Sequence, residues 1–361
     1  MCKLCFNALR MSNEGILVVN TGSPLSPSPT HVREYLRQFL MDPHIIDLSY
    51  WKRWLLVHGI ILRFRPRKSA KAYQSIWTSD GSPLVCISRN QCEKIKQQTS
   101  KPVELCFRYG SPSIEEGLKK LLNQGIQSIT LLALYPQSCS ATTGSIYEKT
   151  LQIAKQLKYP LPIYHLPFFC LEQNYLQALT HSIQKAIPSR SEHLLISFHS
   201  LPERHIRKAD PTGNYCLNKP DCCLNCTNEH LAHCYKAQTV RTVLHLAKAL
   251  SLSPTQYSLC YQSKLGKIPW LTPETGSTVI KLAHSGIRHL TIVSPSFVTD
   301  CLETLYEINQ ELRKVFLLHG GSSFTYIPCL NDSIEWIRPV LDLAKIPLYT
   351  PGELKKHTTK R

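Results

Sequence analysis

Short, continuous apolar runs alternate with amphipathic segments from residue 15 to about residue 332. The apolar runs are rich in β-branched and aromatic residues, and we predict strands at GILVVN (15–20), VELCFRYG (103–110), SITLLALYP (128–136), LPIYHLPFF (161–169), HLLISFH (193–199), QYSLCYQS (256–263), HLTIVSP (289–295) and SFTYIPCL (323–330). Apolar residues at helical spacing predict helices at SIEEGLKKLLNQG (113–125), TVRTVLHLAKALSL (239–252) and ETLYEINQELRKVF (303–316). This alternation predicts an α/β, doubly wound architecture, with parallel sheets covered by helices on both faces.

A weak internal repeat indicates two copies of this architecture. KKLLNQGIQSITLLALYP (119–136) resembles IKLAHSGIRHLTIVSP (280–295), and the two segments lie about one domain length apart. We therefore predict a tail at 1–14, an N-terminal α/β domain at 15–180, a C-terminal α/β domain at 181–335, and a C-terminal segment with a basic tail at 336–361.

Composition and charge narrow the class of protein. The chain has 361 residues, of which 43% are hydrophobic and 19% charged, as is typical of globular domains. Its net charge of +17 favours an anionic partner such as a nucleic acid, an acidic membrane surface or a carboxylate-bearing substrate. The first residues have no apolar core typical of a signal peptide, and no run approaches the ~20 apolar residues that span a bilayer. We expect a cytoplasmic protein whose cysteines are free thiols or metal ligands rather than disulfides.

Five cysteines crowd the stretch YCLNKPDCCLNCTNEHLAHC (215–234). Four thiolates could close a metal site here, from Cys216, Cys222 or Cys223, Cys226 and Cys234. We prefer Cys223, because it forms a C-x-x-C pair with Cys226. Four cysteines suit either a structural Zn²⁺ or a [2Fe–2S] cluster, and their spacing does not choose between the two. Together with the charge of +17, the stretch also suggests a Cys/His-knuckle nucleic-acid-binding protein.

Two predicted strands end in residues that could carry chemistry. LLISFHSLPERH places His199 at a strand end, where open α/β sheets bind their ligands, although a satisfied turn histidine is the structural alternative. SPSFVTDCLETLYEINQE carries Asp300, Glu303 and Glu307 at spacings of three and four, which predicts one helical face near a helix N-terminus. Ordinary first-turn acids are the alternative there. An acidic row beside a histidine could receive a divalent cation.

Two further stretches combine cations with aromatic residues. RFRPRKSAKAYQSIWTSDGSPL (63–84) could stack nucleic-acid bases or hold a flat anionic ligand, and a solvated helix is the alternative. WKRWLLVHGIILRFRPRK (51–68) has an apolar centre flanked by Trp, Lys and Arg, which is typical of an interfacial membrane segment. A pocket-lip helix is the alternative for this second stretch.

Taken together and in this order, several motifs resemble ferrochelatase: GILVVNTGSPLSPSPTHVREYLRQFLMDPHIIDL, KAYQSIWTSDGSPL, FRYGSPS, LYPQSCSATTGS, SFHSLPERHI, YQSKLGKIPWLTPET and PSFVTDCLETLYEI. The resemblance covers nearly all of residues 15–332. It implies that the chain inserts Fe²⁺ into protoporphyrin IX or coproporphyrin III in the terminal part of haem synthesis. It also implies two Rossmann-like domains with the active site in the cleft between them, and a porphyrin and Fe²⁺ as partners rather than a nucleic acid.

The resemblance also assigns roles to individual residues. The histidine of SFHSLP and the glutamate of CLETL, here His199 and Glu303, match the family's catalytic pair and inner metal site. Asp300 and Glu307 match an acidic path that leads away from that site. The porphyrin-binding positions of the family correspond here to Arg65, Tyr73, Ser82, Arg108, Tyr109 and Trp270. Whether the histidine acts as base, as ligand or as both stays open at this point.

Two alternative functions remain from the sequence. A related chelatase could insert cobalt or iron into another tetrapyrrole, whereas a Cys/His-knuckle nucleic-acid-binding protein would leave the two α/β domains and His199 unexplained. Relative to the family pattern, the cysteines lie in an insertion (216–234) outside the porphyrin site. Some bacterial ferrochelatases carry a [2Fe–2S] cluster in an internal segment, and this resemblance favours a cluster over zinc on Cys216, Cys223, Cys226 and Cys234. The sequence indicates no oligomeric state, and it leaves peripheral membrane contact open.

Overall fold

Eight parallel strands in two sheets form the framework of the computed structural model, which describes residues 13–158, 162–166, 168–264, 266 and 268–344. The first sheet holds β1 (Glu14–Asn20), β2 (Val103–Phe107), β3 (Ser128–Ala133) and β4 (Ile163–His165). The second sheet holds β5 (His193–His199), β6 (Tyr257–Gln262), β7 (His289–Val293) and β8 (Ser323–Tyr326). All eight predicted strands are therefore confirmed, and so is the predicted α/β class with parallel sheets.

The two sheets repeat one topology. The first has the order β2-β1-β3-β4 and the second the order β6-β5-β7-β8. In each sheet, the strand that comes first in the sequence lies between the second and the third. Val18 of β1 pairs with Leu105 of β2 and with Leu132 of β3. In the second sheet, β5 pairs with β6 and β7 in the same way. The internal repeat seen in the sequence is therefore a repeat of strand order.

Helices and helical turns connect the strands. In the first part of the described chain these are α1 (Pro29–Leu40), α2 (Tyr50–Trp54), π1 (Leu55–Ile61), α3 (Leu62–Ile76), α4 (Pro83–Lys96), α5 (Ile114–Asn123), π2 (Ser140–Gly144) and α6 (Ser145–Gln156). Later come α7 (Gln173–Ala186), α8 (Glu203–Ala209), α9 (Asn228–His233), α10 (Tyr235–Ala249), α11 (Thr275–His284), π3 (Glu303–Leu312), α12 (Arg313–Leu318) and α13 (Ile334–Leu343). None of the helices in this described part combines the length and the apolarity that crossing a membrane requires.

One of the three predicted helices has a different form from the one expected. The segment 303–316 begins as the π-helix π3, with an α-helical turn only from Arg313 onward. Periodicity alone could not reveal this, because a π-helix and an α-helix differ by less than one residue per turn. The other two helices are confirmed, although α10 begins at Tyr235, four residues earlier than predicted.

Backbone contacts divide the chain into two units. Among the described residues, unit 1 comprises 13–134, most of 141–166, and 337–344, while unit 2 comprises 135–140 and most of 168–336. Each unit contains one sheet, and the central strand of each sheet is buried. In unit 1 Leu17, Val18 and Val19 are fully buried, and in unit 2 Leu195 and Ile196 are as well. Strands covered on both faces account for the unbroken apolar runs in the sequence.

A glycine makes the turn after β1 possible. Gly22 has a φ of +101°, and a Cβ at this position would lie 1.7 Å from the carbonyl oxygen of Tyr109. The amide of Tyr109 donates to the carbonyl of Thr21 at 2.9 Å, so the two backbone segments run directly against each other. Only a residue without a side chain fits this contact.

We expect Gly22→Ala to lower the free energy of unfolding by about 3 kcal/mol or more, because it adds a backbone overlap to an unfavourable φ. Gly125→Ala is the matched control, since Gly125 also has a positive φ, of +72°, but open space where its Cβ would be. The control should cost about 1–2 kcal/mol. Urea denaturation of both variants measures the difference, and equal losses would show that the contact with Tyr109 is unimportant.

Candidate active site

His199 is the last residue of β5, at the carboxyl end of the second sheet. Its Nδ1 lies 2.7 Å from the carbonyl oxygen of Ser200. A carbonyl oxygen can only accept a hydrogen bond, so in the neutral ring Nδ1 carries the proton and Nε2 carries the lone pair. The fold thus fixes one tautomer and leaves Nε2 as the nitrogen that can take a proton or bind a metal ion.

The surroundings of His199 keep the ring neutral. Burial lowers the pKa of His199, while the charge of Glu303 and the hydrogen bond to Ser200 act to raise it, and the net pKa lies below its ordinary value. At neutral pH the imidazole is therefore unprotonated and able to act as a base. The effect of Glu303 on this pKa also shows that the carboxylate and the ring interact electrostatically.

Glu303 is the first residue of π3, and its carboxylate has a thiol neighbour. Cys301 is 4% exposed, and burial, together with the charge of Glu303 and a hydrogen bond to it, raises the pKa of this thiol well above its usual range. The protonated Cys301 therefore donates to Glu303. Sequence reasoning missed Cys301, and the only signal for it was its place two residues ahead of the glutamate in DCLETL.

Glu307 lies one turn further along π3. Its Oε2 accepts a hydrogen bond of 2.6 Å from Ser263 Oγ, in the loop after β6. A π-helix has about 4.4 residues per turn, so residues four apart stay close to one line along its surface. Glu303 and Glu307 are thus brought to one side of the helix, as predicted, although by a different helical geometry.

Asp300 does not share that helical face. It precedes π3, which begins only at Glu303, so the predicted row of three carboxylates on one helix is wrong. The carboxylate is 4% exposed and accepts hydrogen bonds from the hydroxyl of Tyr326, from Thr304 Oγ1 at 2.9 Å and from Asn331 Nδ2 at 2.7 Å. Asp300 therefore ties the start of π3 to the loop after β8.

Trp270 lies on a segment that packs beside the loop of His199. It pairs as an isolated antiparallel bridge with Pro202. The neighbouring Leu271 donates its amide to the carbonyl of Leu201 at 3.0 Å, and Ser200 Oγ donates to the carbonyl of Leu271 at 3.2 Å. The SFHSLP and PWL motifs lie about seventy residues apart in the sequence. In the structure they pack side by side and are joined by hydrogen bonds.

In unit 1, Arg108 and Tyr109 converge on Asp42. The carboxylate of Asp42 pairs with the guanidinium of Arg108 and accepts hydrogen bonds from the Tyr109 hydroxyl at 2.8 Å and from Ser145 Oγ at 2.6 Å. Burial acts to raise the pKa of Asp42, but Ser145, Arg108 and the amide of His44 outweigh it, and the net pKa is lowered. Asp42 was not singled out in the sequence, where it reads as an ordinary loop acid after a helix.

The remaining predicted porphyrin residues differ in exposure. Tyr73 is 7% exposed, with its ring edge-on to Tyr35 and Trp77 at centroid distances of 6.4 Å and 6.1 Å. Ser82 is buried at the N-terminus of α4. Arg65 on α3 is half-buried. The structure thus places Tyr73 and Ser82 largely inside unit 1 and leaves Arg65 partly open to solvent.

A buried aspartate folds the loop that leads into the cysteine stretch. Asp210 accepts hydrogen bonds from the amides of Thr212 at 2.9 Å, and of Tyr215 and Cys216 at 2.7 Å each. Burial acts to raise the pKa of Asp210, but these hydrogen bonds outweigh it and hold the pKa well below its usual range. The carboxylate therefore stays charged and fixes the backbone at Cys216.

The thiols of Cys216 and Cys223 both donate hydrogen bonds to the sulfur of Cys234. Hydrogen bonds from Cys223, from the amide of Ala237 and from Cys216 lower the pKa of Cys234 to about 6, although burial opposes this. Cys234 is also the N-cap of α10, and its sulfur lies 3.4 Å from the amide nitrogen of Ala237. Its thiolate is thus stabilised by thiol donors and by a helix N-terminus.

Cys226 and Cys222 lie at the edge of this group. Cys226 Sγ donates to the carbonyl of Cys223 at 3.5 Å, and Cys222 Sγ is 3.8 Å from Cys223 Sγ. Within residues 13–344, as far as the structure describes them, no group of three or more His, Cys, Asp or Glu is already arranged as a metal site. The cysteines converge, but they are held by thiol hydrogen bonds.

Comparison with known proteins places the chain in a family. The ferrochelatase family model matches residues 13–346. A ferrochelatase of Pseudomonas fluorescens (strain Pf0-1) is 43% identical over 336 residues, which cover 93% of this chain and 98% of the relative. A ferrochelatase of Azotobacter vinelandii is 42% identical over 338 residues, which cover 93% of this chain and 100% of the relative.

Solved structures support the fold. SirB from Bacillus subtilis with Fe³⁺ gives a TM-score of 0.51 at 16% identity, covering 92% of this chain and 95% of that one. The sirohydrochlorin chelatase SirB from Bacillus subtilis subspecies spizizenii in complex with cobalt gives 0.51 at 11% identity, covering 95% and 98%. At these identities the likeness concerns the fold alone.

We expect Asp300→Ala to destabilise the protein by about 3 kcal/mol, because it removes the buried carboxylate that accepts hydrogen bonds from Tyr326, Thr304 and Asn331. Glu307→Ala is the control on the same chain segment and should cost about 1 kcal/mol, since it removes the hydrogen bond that Ser263 donates to a half-exposed carboxylate. Equal thermal denaturation midpoints for the two variants would contradict an anchoring role for Asp300.

Proposed function

We propose that His199 and Glu303 together bind the metal ion and accept the pyrrole protons. The chain belongs to the ferrochelatase family, and so it inserts Fe²⁺ into a porphyrin in haem synthesis. The observation that carries this proposal is the fixed neutral tautomer of His199, with its Nε2 lone pair available and its ring in electrostatic contact with the Glu303 carboxylate. An imidazole and a carboxylate also suit Fe²⁺, a borderline ion, as ligands.

The reaction defines what these two residues must do. Inserting Fe²⁺ releases two protons from the pyrrole nitrogens and leaves the porphyrin as a dianion around the metal. Nε2 of His199 can accept one of these protons, but while protonated it cannot bind a metal ion. The charge of the Glu303 carboxylate stabilises the imidazolium that this first transfer forms, and the carboxylate is the acceptor for the second proton once the imidazolium has passed its proton on. The protonated thiol of Cys301 supports the carboxylate as a hydrogen-bond donor.

Beyond Glu303, we propose Glu307 as the next group on the acidic path for protons or metal ions. It lies one turn along π3, half-buried, and is oriented by Ser263. The contacts of Asp300 favour an anchoring role at the start of π3 over a relay role.

The porphyrin-binding roles stay proposals of the same kind. Arg65 and Trp270 have half-buried side chains, which supports direct contact with the porphyrin. Arg108 and Tyr109 are committed to Asp42, which supports a role in shaping the surface where they lie. For Tyr73 and Ser82, burial supports the same indirect role.

We expect His199→Ala and Glu303→Gln each to lower the rate of Fe²⁺ insertion by about 10²-fold or more, the usual size of an acid–base contribution. Porphyrin affinity should stay within about twofold, because neither side chain is assigned to the macrocycle. The measurements are the change in the porphyrin absorption bands on metallation and fluorescence quenching on binding. Glu311→Gln, which alters an exposed acid of the same helix, is the control and should keep normal turnover. Near-normal insertion by His199→Ala would refute the assignment.

For the cysteine stretch we propose a [2Fe–2S] cluster on Cys216, Cys223, Cys226 and Cys234, separate from the catalytic pair. The donor set fits such a group, because Cys216, Cys223 and Cys234 are buried and joined by thiol hydrogen bonds, and the fourth thiol is bonded to the backbone of Cys223. When bound, a cluster would supply a redox-active or structural centre. Cys234 is poised as the thiolate, and Asp210 holds the backbone of Cys216.

Cys222 and Cys223 offer a matched pair of variants. Cys223→Ser should lose the bound group, whereas Cys222→Ser should keep it, because Cys223 and not Cys222 is the thiol that donates to Cys234. Anaerobically purified protein should be red-brown, with iron and acid-labile sulfide in equal amounts. Colourless protein that holds stoichiometric zinc without sulfide would exclude the cluster, and retention of iron by Cys223→Ser would exclude this ligand set.

For the segment 51–68 we propose contact with an anionic membrane surface. Trp51 is 71% exposed, Leu55 61%, Ile60 58% and Phe64 74%, which is unusual for large apolar side chains. Exposed cations accompany them on the same segment, although Arg53 is buried and bonded to the carbonyls of Ile46 and Leu48. Apolar groups with flanking cations are the pattern of an interfacial helix.

The double variant Trp51→Ala/Phe64→Ala should bind anionic vesicles at least tenfold more weakly than the parent chain, because it removes two large side chains that a bilayer would bury. Leu25→Ala/Leu318→Ala is the control, since these side chains are 79% and 83% exposed but lie outside the segment. Sedimentation with phosphatidylserine vesicles at low salt measures this, and equal loss in both double variants would contradict a specific membrane face.

A further inference from the structure

A closed ring of hydrogen bonds holds the backbone of His199. The amide of His199 donates to Ser296 Oγ at 3.0 Å, Ser296 Oγ lies 3.0 Å from the hydroxyl of Tyr235, and that hydroxyl donates to the carbonyl of His199 at 2.8 Å. Each hydroxyl has one proton, so the directions are fixed: Ser296 donates to Tyr235, and Tyr235 donates to His199. Tyr235 and Ser296 are 5% and 7% exposed, so no solvent is needed to complete the ring.

This ring adjoins the carbonyl that binds the imidazole. The peptide unit between His199 and Ser200 is hydrogen-bonded on both sides. The hydroxyl of Tyr235 donates to the carbonyl of His199, and the amide of Ser200 donates to the carbonyl of Gln262 at 2.8 Å. The next carbonyl, that of Ser200, is the acceptor for His199 Nδ1. The acceptor that selects the tautomer therefore belongs to the peptide unit that directly follows this held one.

Tyr235 directly follows the cysteine stretch and also takes part in this ring. It is the first residue of α10 and directly follows Cys234, the N-cap whose sulfur accepts the amide of Ala237. The sulfur of Cys234 thus contacts the first turn of α10, the same turn that carries the hydroxyl of Tyr235. Burial raises the pKa of Tyr235 well above its usual range, so the phenol remains a neutral donor.

We propose that Tyr235 is a positioning residue for His199, and that the cysteine stretch acts on the active site through its hydroxyl. The inference rests on the assignment of His199 as the reacting group in the proposed function. It gives the cysteine stretch, which holds none of the residues proposed for the reaction, a physical link to the histidine. A change at Cys234 reaches the imidazole through one side chain and two hydrogen bonds.

Tyr235→Phe removes only the hydroxyl and should lower kcat for Fe²⁺ insertion about five- to tenfold, with KM for the porphyrin unchanged. Tyr261→Phe is the matched control. Tyr261 is as deeply buried, and its hydroxyl bonds to Thr239 of the same helix α10 at 2.8 Å, without touching His199. The control should keep its kcat while losing similar thermal stability, and an equal fall in kcat in both variants would overturn the inference.

A spectroscopic reading separates positioning from a general loss of stability. In protein labelled with ¹⁵N-histidine, the ring signals of His199 are those that disappear in His199→Ala. In the parent chain they should report one tautomer, protonated at Nδ1, and in Tyr235→Phe they should move toward the average of the two tautomers. Ser296→Ala should produce the same shift because it opens the same ring, while Tyr261→Phe should leave the signals in place. Unmoved signals in both ring variants would contradict the proposal.

A double-mutant cycle tests the link to the cysteines. Cys234→Ala should shift the His199 signals and lower kcat in the parent chain, but it should change kcat less than twofold in the Tyr235→Phe background. Independent losses that multiply would show that the cysteine stretch does not act through Tyr235. The outcomes also separate the two proposals. Normal turnover in His199→Ala overturns the proposed function, whereas an inactive His199→Ala with a normal Tyr235→Phe overturns this inference alone.

Discussion

The register of β5 between β6 and β7 is the constraint on which the candidate site of unit 2 depends. Ile196 pairs with Leu259 on one side and with Val293 on the other, and His199 follows three residues later, at the strand end. A shift by one residue would exchange the faces of every side chain and draw the imidazole into the apolar sheet. Because both faces of the strand are buried, this register is strongly specified, and the histidine is delivered to the carboxyl edge where parallel sheets bind ligands.

Buried aspartates organise the loops beyond the strands. Asp42 gathers Arg108 and Tyr109, Asp210 folds the backbone ahead of Cys216, and Asp300 ties π3 to the loop after β8. Each carboxylate accepts several hydrogen bonds, which offsets the cost of burying a charge. In a chain with a net charge of +17, these few acids serve as internal anchors, whereas Glu303 and Glu307 stay half-exposed.

The candidate site and the cysteine stretch are connected by a hydrogen bond to the backbone of His199, and not by contacts between the side chains proposed to react. The carbonyl of His199 is held by Tyr235, and the next residue back along the chain is Cys234, the thiolate that caps α10. A hydrogen bond to the backbone adds no charge at the site, so the arrangement leaves the lone pair of Nε2 untouched. It does, however, join the geometry of the two regions.

The sequence by itself determined the strands, the parallel α/β class and the repeat, because an unbroken apolar run between turn residues records burial on both faces. It also determined which histidine stands at a strand end, since HLLISFH stops at His199, where β5 ends. Only the tertiary structure decided that Glu303 begins a π-helix and that Asp300 turns away into a network with Tyr326 and Asn331. It also decided that Cys301, Asp42 and Tyr235 contact Glu303, Arg108 and the His199 carbonyl, respectively. Those outcomes depend on hydrogen bonds between residues tens of positions apart, and a local pattern of polar and apolar residues carries no record of which distant partner a buried polar group will meet.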